Sequence, residues 1–448
     1  KRTFCNTRRK EDIDFMLNRL LGFITLFLFF FIFINGEDVY AQSIQTLIDE
    51  AAEGETIQLP NGTYNEPIVI NKSVHLIGND SVRFNVHGEQ PAITIEANNV
   101  TLQHISIQYE NEAKEIPAIF ISSSNNTLEN ISIETANVGI LLDDAHDNLL
   151  TKISITGKEN LPIRDRRRGI DLWKAHRNII EYSKINYVED GIYEEFCQDN
   201  VFRNNKVTDS RYGYHLMFTD RTELYENESY ENISGMMIMG TTETHAYKNL
   251  LMFNQKNVQS LGLLLFDVYD SLVEHNVIKH NRIGILVEDA YDNEVKYNDI
   301  SNNFVGLQFT RAEDNIIHHN TFDANVVQGQ AENSMHNDTN YNYWSDHNGL
   351  DVTGDGLSNL SYKVDPFYLH LTNKYPAYRL LFQAPGMTFL DSMMHTPVEE
   401  QLVDESPLME NPIVTNEFNS ERNFVISIIS TSLFLVSLFI IFLGVRQT

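Results

Sequence analysis

Cysteine is almost absent from this chain. Of the two in 448 residues, Cys5 lies in the N-terminal leader and only Cys197 lies beyond it. No internal disulfide can form in the body, so the fold must be held by other means. Cations are scarce as well: 33 lysines and arginines stand against 62 aspartates and glutamates. Such a surface repels nucleic acid and other polyanions and suits cations or cationic partners, although solubility alone would also account for it. A regular leucine frame is missing too, which argues against a leucine-rich repeat.

What is present begins with two long apolar runs. Asn18 to Ile34 is a cationic start followed by an unbroken apolar stretch, ending near Val39-Tyr40-Ala41. A secretory signal with Met16 as its start is expected, the alternative being an uncleaved N-terminal anchor. Phe424 to Val445 has 22 residues and no charge, long enough to span a bilayer. Arg422 and Arg446 flank it, and with an exported body the C-terminal end faces the cytoplasm. The expected layout is a leader and signal over 1–41, a repeat domain over 42–365, an extension over 366–422 and a membrane anchor over 423–446.

The body carries a repeat. Glycines at 169, 191, 213 and 235 fall 22 residues apart; Gly262 follows after 27, then Gly284 and Gly306 at 22 again. Each opens a short apolar stretch, such as GIDLW, GYHLM, GMMIM and GLLLF. Upstream turns repeat too, with Asn126, Asn148, Asn178 and Asn200 continued by Asn293 and Asn315. Short strands at a fixed period, separated by Asn, Asp and Gly turns, define a solenoid. The period is too short for propeller blades or helical hairpins. It fits one coil of a parallel β-helix, with turn asparagines stacking into ladders at about 4.8 Å. Eleven to thirteen coils are expected. Ser43 to Ala52 has helical periodicity and reads as an N-terminal cap. The following PNGTYNEPIVINKSVHLIG resembles the opening of pectin-lyase-like right-handed β-helices.

Side chains alternate across a strand. Counting from each glycine, positions +1 and +3 are nearly all apolar and face the core, Glu194 being the exception. Positions +2 and +4 then face outward. They place His215, Met217, Met237 and Met239 on one outer face of two adjacent coils, roughly 5 Å apart, flanked by Trp173, Tyr193, Leu264 and Phe266. Three readings stay open. The patch is packing beneath a loop or partner, with methionine as adaptable filler; or an exposed interaction surface; or a soft metal site, for which imidazole and thioether ligands favour Cu(I). His245 on the next coil could join any of these.

A polysaccharide enzyme on such a scaffold needs a base and a charge stabiliser on one face. The outer positions offer Asp171, Glu195 and Glu288 but no lysine or arginine, and Arg211 falls at a turn. Asp351 to Asn359, DVTGDGLSN, lacks the full spacing and closing glutamate of a calcium loop; a structural turn is expected there. Cys197 lies in a turn, where a buried neutral thiol is the default and a Cu(I)-binding thiolate the alternative.

The C-terminal third narrows the choice. Asn342-Tyr343-Trp344-Ser345-Asp346 with Gly354-Asp355-Gly356 resembles a segment that closes exported β-helix repeat proteins. Glu189-Asp190-Gly191-Ile192, Arg211-Tyr212-Gly213-Tyr214-His215-Leu216-Met217 and Gly235-Met236-Met237-Ile238-Met239 resemble the central coils of the NosD family, maturation proteins of nitrous oxide reductase. Tyr375-Pro376-Ala377, Ala384-Pro385-Gly386 and Pro407-Leu408-Met409 resemble that family's C-terminal extension. The resemblance spans roughly 43–412 and implies a non-enzymatic, extracytoplasmic partner of an ABC transporter permease and ATPase. Together with a copper chaperone lipoprotein, such a protein would deliver copper to apo nitrous oxide reductase. The membrane anchor departs from the family's soluble pattern and implies tethering. Met393, Met394, His395 and Met409 form a second sulfur-rich stretch, read as docking or, alternatively, as metal ligands. A cell-surface carbohydrate-binding or carbohydrate-modifying β-helix is the competing reading, and a purely structural adaptor a third.

Overall fold

The computed structural model describes residues 43–113, 115–364 and 402–413, with residues 371, 374, 375 and 378 between the last two. The expected signal (1–41) and anchor (423–446) lie outside the described residues, as do Met393, Met394 and His395. Among the described residues no helix is long and apolar enough to cross a membrane.

The chain divides into two units at Glu50. The first holds one described helix, Ile44–Glu50, with Ile44 and Ile48 buried. Ser43 caps it, its Oγ accepting from the Thr46 N–H at 3.2 Å.

The second unit is a parallel β-solenoid. One sheet stacks twelve short strands, from Ile68–Ile70 to Val327–Glu332. The remaining strands form the other faces, each paired with its counterpart one coil later. The register follows the glycine spacing: Tyr193 pairs with His215 and His215 with Met237, each 22 residues on. Among the described residues, antiparallel pairing is confined to the C-terminal end, where Tyr362–Val364 meets Leu402–Asp404.

The repeat glycines have a steric cause. A Cβ added to Gly169, Gly191, Gly213 or Gly262 would lie under 3 Å from the backbone oxygen of the glycine one coil on. The strand bends there, and successive coils stack backbone to backbone with no room for a side chain.

Asparagine ladders tie the coils together. Asn126, Asn148 and Asn178 each receive their next partner's Oδ1 on the backbone N–H at 2.8–3.0 Å, ending at Asn200. The ladder resumes at Asn293 and Asn315, with Thr222, Thr244 and Ser271 in between. A second ladder runs through Asn205, Asn227, Asn249, Asn276, Asn298, Asn320 and Asn342. A third runs through Asn232, Asn254, Asn281, Asn303 and Asn325. Each buried amide satisfies a backbone donor at a turn that no strand partner reaches.

Asp404 ends the second ladder. Its Oδ2 takes the place of the next asparagine and accepts from the Asn342 N–H and the Trp344 Nε1–H, each at 2.9 Å. Trp344 stacks between Phe322 and Tyr362, with ring centroids 4.3 and 4.7 Å away. The last coil is thus closed by a segment returning from well beyond it in sequence. Asp351 supports the same end: its carboxylate accepts from the Gly354 and Gly356 N–H groups at 2.6 and 2.9 Å, making DVTGDG a hydrogen-bonded turn.

Candidate functional site

Four consecutive strands of the twelve-stranded sheet carry the site: Ile170–Trp173, Asp190–Glu195, Tyr212–Met217 and Ser234–Met239. The alternation expected from the sequence holds inside. Ile170, Ile192, Tyr214 and Met236, and Leu172, Leu216 and Ile238, are fully buried in the core. His215, Met217, Met237 and Met239 share the opposite face, as a two-by-two array in which His215 pairs with Met237 and Met217 with Met239. Neighbours across the strands sit about 4.8 Å apart.

Of the three readings, packing beneath a cover fits the inner half of the array, where His215 and Met237 are each only 7% exposed, while Met217 and Met239 are half-buried. The Tyr193 and Tyr212 rings stand edge-on to the His215 imidazole, with centroids 4.9 and 5.1 Å away. Met237, Leu261 and Leu264 form a buried apolar cluster on this face, with Met239, Phe266, Ile283 and Leu286 packed against it.

His215 is oriented by a residue that strand alternation missed. Its Nδ1 lies 2.9 Å from Oδ2 of fully buried Asp190. The same carboxylate accepts from Arg211 through Nε and Nη2 at 2.8 and 2.7 Å. Burial pushes the Asp190 carboxyl up, but the hydrogen bonds from His215 and Arg211 outweigh it and hold the group below its ordinary value. With Asp190 as acceptor, the imidazole donates from Nδ1 and has Nε2 as its second ring nitrogen, the one a ligand could reach. A carboxylate behind an imidazole in this way is the usual support of a metal-binding histidine.

On the opposite side of His215 the face is polar. Arg168 lies 2.8 Å from Asp171 and stacks 3.6 Å above the Tyr193 ring. The Tyr193 hydroxyl donates to Glu195 at 2.6 Å and sits 3.4 Å from the Met217 sulfur. Burial pushes the Asp171 carboxyl up, and Arg168 only partly offsets it. The expectation that this face holds no lysine or arginine is therefore corrected. The bend at each glycine lets two successive residues point inward, so the residue before the glycine faces out. Arg168, Asp190 and Tyr212 occupy that position, and Arg211 reaches in from one residue earlier. The signal was in the repeat, one place upstream of where counting began.

The other sequence candidates are not brought here. Cys197 points into the core, its Sγ 3.3 Å from the Glu195 oxygen, and burial pushes its thiol well up. His245 lies on another face, with Nε2 3.1 Å from Glu274. Met409 belongs to the closing segment, its N–H donating to Gly356 at 3.0 Å and its sulfur against Gly349. Glu194 faces inward, fully buried, accepting from Asn200 and Thr222 at 2.7 Å each. Burial pushes its carboxyl up to about 7. It occupies the break in the first asparagine ladder.

Among the described residues no three histidine, cysteine, aspartate or glutamate side chains converge as metal ligands. Any ion held at His215 would draw its other ligands from the methionines, and thioether donors with one imidazole select a soft monovalent ion.

Fold and site together define a right-handed parallel β-helix with an imidazole–thioether array on its outer face. Residues 65–229 match the right-handed β-helix region. Residues 151–349, which include the array, match NosD, described as a periplasmic copper-binding protein. The chain is a NosD-like right-handed β-helix protein. No curated protein matches it. Solved structures that resemble it include the periplasmic alginate epimerase AlgG, with TM-score 0.51, 11% identity, and coverage of 68% of this chain and 83% of that one. The A-module of the Azotobacter vinelandii mannuronan C-5 epimerase AlgE4 aligns at TM-score 0.47 and 17% identity, over 67% and 88%. At 11% identity the likeness to AlgG shows the fold alone.

Proposed function

We propose that the protein is a non-enzymatic copper-delivery scaffold for nitrous oxide reductase. Cu(I), as cargo, is held at His215 Nε2 with thioethers from Met237, Met217 and Met239. It is received from a copper chaperone lipoprotein in concert with an ABC transporter permease and ATPase, and passed to the apo-reductase outside the cytoplasmic membrane. Residues 423–446 tether the protein there. The observation that carries this reading is the locked imidazole: Asp190 holds Nδ1 at 2.9 Å and the free nitrogen shares a face with the methionines. Neutral, polarisable ligands bind Cu(I) without the charge that would trap it, which suits transfer. The match of residues 151–349 to a copper-binding family supports the same cargo.

The test is made in cells that assemble the reductase. A variant carrying His215→Gln, Met237→Leu and Met239→Leu should accumulate normally yet leave the reductase copper-deficient by metal analysis. Full copper loading in that strain would overturn the proposal.

The Arg168–Tyr193–Glu195 grouping favours a second reading, since an arginine over a tyrosine beside two carboxylates is equipped to handle a sugar acid. Turnover of uronan or glucan oligosaccharides by the full chain, abolished by Tyr193→Phe, would move the function there.

A further inference from the structure

The corner that follows the site strands carries an aromatic patch that the copper array does not use. Each coil turns there through a residue in the left-handed region. On other coils that place holds Asp144, Asp267, Asp289 or Arg311, polar residues suited to a solvated turn. After the strands Asp190–Glu195 and Tyr212–Met217 it holds Phe196 and Phe218, with φ of 56° and 54°. Both are exposed, by 43% and 50%. A bulky side chain is sterically costly in that backbone region, and a ring left in water gains little from burial. Neither ring is there for the sake of the turn. Phe196 and Phe218 stack on each other, with centroids 5.4 Å apart and planes 13° from parallel. Trp173 stands edge-on to Phe196 at 5.3 Å. Gly240 takes the place of the next ring, and a Cβ there would lie 2.7 Å from the Phe218 ring. Half-buried Met217 and Met239 directly precede Phe218 and Gly240, so the patch is continuous with the outer half of the array. The turns of these coils are acidic: Asp199, Asp220, Glu243, Asp267 and Asp270 stand against Arg221 alone over 196–199, 218–221, 240–243 and 267–270. Arg221 is itself bound to Asp199 at 2.7 Å.

We propose that the Phe196–Phe218 edge is the docking surface for a protein that exchanges Cu(I) with the array, and that this partner presents an apolar centre ringed by lysine or arginine. The identity of the exchanged ion rests on the function proposed above; the surface stands on the exposed rings, their backbone cost and the acidic rim. An apolar centre with a charged rim is the anatomy of a protein interface, and two aromatic anchors side by side are its usual hot spot. The carboxylates select a cationic partner and oppose an anionic membrane. Phenylalanine offers no polar handle to a sugar, and one face of each ring is already covered by the other. Docking here brings a partner's ligands beside Met217 and Met239, the end of the array that is half-buried rather than covered.

The test measures association of the purified full chain, without copper, with the copper chaperone lipoprotein and with apo nitrous oxide reductase. Binding to at least one is expected, weaker at higher salt and weakened about 30-fold or more in Phe196→Asn/Phe218→Asn. Asparagine suits the left-handed turn, so the Tm of that variant should hold or rise, whereas rings kept for the fold would lower it. Its Cu(I) affinity in chelator competition should not change. If the asparagine variant loses stability, Glu243→Lys/Asp270→Lys keeps the rings and must still weaken binding. Association should persist in His215→Gln, so a failure of the copper cargo is told apart from a failure of the docking surface. Binding to neither protein, or unchanged binding by the folded variants, would overturn the proposal.

Discussion

His215 shows how the supports around one side chain fix its orientation. Asp190 is fully buried and would be costly to keep charged, yet Arg211 and His215 together stabilise it. Asp190→Asn would remove that charge and free the imidazole to change tautomer. Cu(I) affinity should fall about 10–100-fold in chelator competition while the fold persists. Glu194 is a different case, a carboxyl whose proton is held more tightly because it is buried inside the solenoid. Its folded value, about 7, lies above that of the unfolded chain. The stability it allows is therefore fully present below pH ~4.5 and is lost as pH rises through ~7, by roughly 3 kcal/mol at most. Glu194→Gln should flatten the fall in Tm between pH 5 and 8 and raise Tm at pH 8. An unchanged pH profile would show that Glu194 is not the group responsible. The inward direction of Glu194 and the outward direction of His215 were legible from strand alternation. Asp190 and Arg168 were not, because alternation fails at the bend where each glycine sits.

At the scale of the element, the coil is held by its turn amides as much as by its strands. Asn227 accepts from the Asn205 N–H at 3.0 Å, and its own amide donates to the Phe202 oxygen at 2.7 Å. Asn227→Ala would leave both buried groups unpaired, costing about 2–4 kcal/mol. Thermal unfolding should show the loss; a change under 0.5 kcal/mol would mean that the ladder is ornamental. The first ladder was readable from the repeated asparagines. The second and third share its period but precede less regular stretches, so spacing alone did not single them out. The break at Thr222 became intelligible only once Glu194 was seen to accept from its hydroxyl.

At the scale of the whole described solenoid, each coil pairs its strands with the coils on either side, so stability is local and the ends are vulnerable. Asp404 closes the C-terminal end by receiving the Asn342 N–H and the Trp344 indole. Asp404→Ala should raise hydrogen exchange at coils near residues 320–345 and leave residues 190–240 protected; uniform loss of protection would contradict a solenoid that frays from its end. The period and its glycines announced the stack of coils in advance. The closure was not derivable from spacing, since Asp404 returns from about sixty residues beyond Trp344. The acidic composition was legible as well and agrees with a cationic cargo.

The central claim is that His215 and the methionines of adjacent coils hold Cu(I). The measurement that meets it most directly is anaerobic Cu(I) titration of the purified full chain against a chromophoric chelator, repeated on His215→Gln and on Met217→Leu/Met237→Leu/Met239→Leu. The account predicts one tightly held ion in the wild type, lost in both variants while circular dichroism stays unchanged. Equal retention of the ion by all three proteins would contradict it.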